Sequence, residues 1–143
     1  MRIFGEAQGL VPKGLLLLSL ILLPTMANAG GPDGAELYSE HCASCHGVNL
    51  DGQPDWKTRR SDGKLPAPPH DASGHTWHHS DRQLIAIVRD GLAKILPDYE
   101  TDMPAYGSVL SDDEIRAILQ YIKGEWPERE RAYQRARSAA DPE

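Results

Sequence analysis

Both cysteines of the chain lie in one five-residue stretch, Cys42-Ala-Ser-Cys45-His46, and no other cysteine exists to pair with either. That restricts how a fold of this kind can be held together. The chain has 143 residues, the length of one domain. The part after residue 29 contains no phenylalanine and few leucines or isoleucines from which to build a core. A domain so small and polar needs a staple: a disulfide, a metal or a cofactor. A bond between Cys42 and Cys45 would close only a tiny loop and constrain little of the unfolded chain.

Residues 1–29 have the pattern of a secretory signal. Arg2 and Lys13 supply positive charge, an apolar run follows from Leu15 to Leu23, and Ala27-Asn28-Ala29 is a small-x-small cleavage site. An uncleaved anchor helix is the alternative, but a span needs roughly 20 apolar residues, and this run is shorter. Gly30 is not a cysteine, which argues against lipidation there. Export with cleavage after Ala29 places the mature chain in an oxidising compartment, the periplasm, with no membrane span left. Cleavage removes two basic residues and one acidic, taking the formal charge of −6 one unit lower, to −7. That balance argues against nucleic acid or an anionic membrane as partner. Met103 becomes the only methionine.

Three helices are expected in the mature chain. Asp33 with Glu36 fits a capping box for a helix from about Gly34 that runs into the cysteine segment. Residues 47–80, rich in Gly, Pro, Asp and His, read as a long loop, and loops of that length are functional or wrap around something. Ser80 with Gln83 caps a second helix with Leu84, Ile87 and Val88 on one face, stopped by Gly91. An irregular segment leads to Ser111 and Glu114, which cap a third helix with an Ile115, Ile118, Leu119 and Ile122 stripe and a stop at Gly124. The domain is thus expected over residues 30–124. Residues 125–143 read as a charged extension, helical from Pro127, solvated and fraying. The glutamates among its arginines argue against a nucleic-acid role.

The spacing C-x-x-C-H is that of covalent haem attachment. Positions i, i+3 and i+4 of a helical turn face the same way, so Cys42 and Cys45 can meet two vinyl groups of one porphyrin edge while His46 sits under the iron. Three other uses compete: a thioredoxin-type redox pair, which wants a βαβ setting; a zinc site, which wants two further ligands; and a plain disulfide. Given a haem, the thioether of Met103, in a loop stiffened by Pro104, is the candidate sixth ligand, a soft donor that raises the potential.

CASCH at 42–46 and DMPAYG at 102–107 resemble the class I single-haem c-type cytochromes, and more narrowly the bacterial soluble proteins of the mono- and dihaem-variant group. The resemblance covers about residues 33–123. Gly34 and Tyr38 resemble one side of that family's crossing of first and last helices, and Ile118 and Tyr121 the other. It implies an all-α cytochrome c fold, three to four short helices with long loops wrapped around one covalent haem c. It also implies that a proline carbonyl, Pro68 before Pro69, accepts from the other nitrogen of His46, and that Trp77, before Trp56, bonds a haem propionate.

The function expected is that of an electron carrier, not an enzyme: a monomeric periplasmic cytochrome c passing one electron between transient protein partners through an iron held by His46 and Met103. A haem enzyme or gas sensor, with a displaceable Met103, is one alternative. A metal-handling protein using His70, His75, His78 and His79 is another. A third is a carrier in which one of these histidines replaces Met103.

Overall fold

The computed structural model describes residue 1 and residues 31–142. The signal segment and its cleavage site fall outside the described residues. Six helices follow in order: α1 (Gly34–His41), α2 (Ala43–His46), α3 (Asp81–Asp90), α4 (Leu92–Ile95), α5 (Asp112–Gly124) and α6 (Glu128–Ala140). One 3-10 turn, Thr76–His78, precedes α3. Helices α2 and α4 are single turns, and no strand occurs among the described residues. The fold is all-α, with four longer helices and a long irregular loop between α2 and the 3-10 turn.

The helices begin where side chains replace missing backbone partners. Asp33 accepts from the N–H groups of Ala35 and Glu36, and full capping boxes form at Ser80 with Gln83 and at Ser111 with Glu114. Helix α5 supplies the core stripe. Ile115, Ile118, Leu119 and Ile122 are all buried, each contributing roughly 1.5–3 kcal/mol. On α3 the buried pair is Leu84 and Ile85; Val88 is partly buried against the same core.

Helices α1 and α5 cross at Gly34. A Cβ there would lie 2.1 Å from the Ala117 carbonyl oxygen, so only glycine lets the backbones approach this closely. One turn on, Tyr38 is buried, its ring 5.4 Å from that of Tyr121, and its hydroxyl donates to Gly47 O at 2.9 Å.

The C-terminal extension differs from expectation. It is helical, but it is docked rather than solvated. Trp126 and Gln134 are each only 2 % exposed. Gln134 Nε2 donates to Asp81 Oδ1 at 2.5 Å and to Ser138 Oγ at 3.0 Å, and Ser138 Oγ accepts from the Asp81 N–H. Ser80, the cap of α3, donates to Asp141 at 2.6 Å. Of the arginines that make the segment look solvated, Arg131 and Arg135 partner Glu128 and Arg129 pairs with Glu130 at the surface, while small polar groups face inward and satisfy one another.

Two predictions follow from this packing. Gly34→Ala forces the crossing apart and is expected to cost about 3 kcal/mol, measured by guanidinium unfolding. For Asp81, burial alone would raise the carboxyl, but the bonds from Lys123 and Gln134 outweigh it and hold it below its ordinary value. The folded chain therefore binds this proton less readily than the unfolded chain. The contribution to docking is complete above about pH 4 and lost as pH falls further. Amide exchange in α6 should accelerate below that pH, and Asp81→Asn should weaken the pH dependence, leaving the part carried by Asp141, which the bonds from Ser80 and Arg82 also hold below its ordinary value.

Candidate haem site

Cys42 sits at the junction of α1 and α2, with backbone φ −117° and ψ −38°. The Cys45 and His46 N–H groups both bond back to Cys42 O, so the two thiols and the imidazole share one tight turn. Cys42 is half-buried, Cys45 is exposed, and neither is in a disulfide. Burial, with Cys45 nearby, pushes the Cys42 thiol up to about 11. A redox-active cysteine needs the opposite shift.

His46 is buried, and its Nδ1 lies 2.8 Å from Pro68 O. A carbonyl oxygen can only accept, so Nδ1 carries the hydrogen. Burial lowers the basicity of the ring, opposed only in part by the Pro68 bond. The ring is therefore neutral, and its Nε2 presents a lone pair, the form that binds a metal.

The Pro68 segment is itself held. Gly52, at φ +68°, passes so close to it that a Cβ would lie 2.5 Å from Pro69 N. Leu50 adopts φ +64°, which costs a non-glycine residue about 1 kcal/mol. Its carbonyl there accepts from both His70 N at 2.7 Å and Asp71 N at 3.1 Å. His70, two residues past Pro68, lays its ring over that of His46, with centroids 3.9 Å apart and planes 20° apart.

The Met103 loop is anchored beside this turn. Tyr106 OH donates to His41 O at 2.7 Å, the carbonyl just before Cys42. Tyr106 N and Gly107 N donate to Val88 O and Arg89 O at the end of α3. Asp102 pairs with Arg60 and Lys64 of the long loop. Met103 is half-buried, and its N–H donates to Thr101 Oγ1 at 3.0 Å.

Residues 29–122 match the family described as cytochrome c oxidase, cbb3-type, subunit III. The chain belongs to this family of c-type cytochrome domains. It is similar to the cbb3-type cytochrome c oxidase subunit FixP of Bradyrhizobium sp. (strain ORS 278), 26 % identical over 85 % of this chain and 38 % of the relative. It is also similar to a nitrite reductase of Stutzerimonas stutzeri, 28 % identical over 77 % of this chain and 19 % of the relative. The chain thus spans well under half the length of either. No solved structure matches it.

The cofactor of such a cytochrome domain is haem c with its iron, and its work is electron transfer with redox partners. The donor set fits that group: free thiols at i and i+3, a neutral imidazole at i+4 with Nε2 available, and a methionine loop tied to the same turn. Among the described residues no helix is long and apolar enough to cross a membrane.

The remaining residues singled out in the sequence are placed differently from one another. Trp77 packs edge-on against Tyr133 of α6, and its N–H makes only a long 3.4 Å contact to Ala72 O. Trp56 stacks on His75 at 5.5 Å. The loop histidines are spread over ring contacts: His70 on His46, His75 on Trp56 and against His79, and His78 against Trp77. Among the described residues no three His, Cys, Asp or Glu side chains converge to hold a metal. His70 is stacked beside His46, on the same side of the site as that imidazole.

Sequence reasoning missed Trp126, whose indole N–H donates to His70 O at 2.6 Å. The single tryptophan of a charged segment was the available signal, since such a side chain is seldom left in water. It also missed Tyr106 as the tether of the methionine loop. Tyr106→Phe keeps the ring and deletes the bond to His41 O. It is expected to cost about 1 kcal/mol in chemical unfolding and to speed amide exchange over residues 103–107 relative to α5.

Proposed function

We propose that the chain is an exported one-electron carrier in which Cys42 and Cys45 form the thioether links and His46 and Met103 ligate the iron. The observation that carries this reading is the 2.8 Å contact of His46 Nδ1 with Pro68 O. It sets the tautomer and the ring plane of the imidazole, and it sits in the one turn that also presents two free thiols. A haem iron held by both His46 and Met103 would supply a one-electron couple and would offer no open position to a substrate.

The protein's own residues do the rest. The turn at Cys42 keeps the thiols and His46 on one side. The Tyr106 bond to His41 O and the pairing of Asp102 with Arg60 and Lys64 hold the methionine loop at both ends. Trp77 is the candidate propionate donor in this reading, its 3.4 Å contact to Ala72 O being weak enough to exchange. The mature chain, at −7 after loss of the signal from −6, would meet a basic patch on its partner, in a small and transient interface. The names of the two relatives favour a larger oxidase or reductase as that partner. Export rests on the signal pattern of residues 1–29, and the carrier would act in the periplasm as a monomer.

The test is a spectroelectrochemical titration of the purified holoprotein. A single transition with a one-electron slope is expected, and Met103→Ala should lower its midpoint, because removal of the thioether removes the preference for ferrous iron. A midpoint unmoved by Met103→Ala would take Met103 off the iron. A transition of more than one electron would end the single-haem carrier reading.

A further inference from the structure

The segment Pro68-Pro69-His70 touches His46 twice. Pro68 O takes the Nδ1 hydrogen at the ring edge, and the His70 ring covers the ring face. The edge bond alone leaves the imidazole free to swing about the N–H···O direction. A parallel ring at 3.9 Å opposes that swing on one side.

His70 can do this because it is fixed by every polar group it has to offer on that side. Its N–H donates to Leu50 O at 2.7 Å, its Nδ1 lies 2.8 Å from Thr76 Oγ1, and its carbonyl accepts from Trp126 Nε1 at 2.6 Å. The edge of Tyr38 packs against its ring at 6.3 Å. Trp126 is buried and lies beyond the end of the matched family segment, between α5 and α6. The connection therefore runs from the C-terminal extension to His70 and on to His46.

We propose that His70 is a positioning residue for the His46 imidazole, holding its plane against the iron, and that Trp126 of the C-terminal extension holds His70 in place. The proposal rests on the assignment of His46 as an iron ligand. Its chemical consequence is specific. The Pro68 carbonyl makes the imidazole a stronger donor only while the Nδ1–H points at it. A ring released to rotate weakens that bond, donates less to ferric iron, and moves the midpoint potential up.

The test compares His70→Phe, which keeps a flat ring, with His70→Leu, which fills the space without one. Both are made as holoprotein and read by low-temperature electron paramagnetic resonance of the ferric form and by midpoint potential. The g values of a low-spin haem report the orientation of the axial imidazole plane, which simple loss of stability does not change. His70→Leu should broaden or shift the g values and raise the potential, and His70→Phe should restore both toward wild type. Should His70→Leu fail to accumulate, Trp126→Phe carries the test, since it keeps the packing and deletes only the bond to His70 O; the same shifts in the same directions are expected. Wild-type g values and potential in the loaded variant, or equal shifts in His70→Phe and His70→Leu, would overturn the proposal. A ferric signal and midpoint potential unchanged by His46→Ala in the wild-type background would overturn the His46 assignment as well, which separates the two failures.

Discussion

The bond from His46 Nδ1 to Pro68 O is the interaction on which the rest of the site depends. It joins a one-turn helix to a proline-rich loop 22 residues away, and much of the surrounding chain is arranged to make it. Leu50 accepts a left-handed backbone so that its carbonyl can hold the start of the next loop segment. Gly52 is glycine because the Pro68–Pro69 backbone passes where a side chain would be. The result is a neutral imidazole with one nitrogen committed and the other free, beside two free thiols, of which Cys42 is pushed up by burial. A histidine held in this way is oriented as a ligand would need to be, and haem c is the cofactor of the family to which the chain belongs.

The helices serve that arrangement from outside. The tight crossing at Gly34 fixes α1 on α5, and α1 delivers the cysteine turn at its C-terminal end. Helix α3 and the Tyr106 hydroxyl fix the methionine loop next to the same turn. The C-terminal helix then closes the other side of the molecule, through a polar seam of Asp81, Gln134, Ser138 and Asp141 rather than through an apolar stripe. These directed hydrogen bonds specify position where a sparse core could not, and Tyr133 adds ring contacts with Trp77 and His78.

Much of this was legible in the sequence because it is local. Capping residues and the period of the apolar stripe act over three or four positions, and they placed α3 and α5 correctly. The C-x-x-C-H spacing is a one-turn pattern with few competing uses, and the resemblance supplied Pro68, which the geometry places on His46. The C-terminal helix departs from expectation because charge count does not report solvent exposure. Its six charged residues between 128 and 137 lie on a helix whose buried residues, Glu130 and Gln134, carry no hydrophobic signature. The roles of His70 and Trp126 depend on contacts 24 and 56 residues apart in the chain. Nothing short-range encodes those. Only the oddity of one tryptophan in a charged segment pointed inward.

The visible spectrum of the holoprotein, oxidised, reduced, and reduced under carbon monoxide, tests the central claim most directly. An iron held by His46 on one face and Met103 on the other should give a sharp low-spin ferrous spectrum that carbon monoxide leaves unchanged, with the weak far-red methionine band in the oxidised form. A ferrous spectrum that shifts promptly with carbon monoxide would contradict the account, because it would mean that one face of the iron is open and that the chain is built to bind a ligand rather than only to pass an electron.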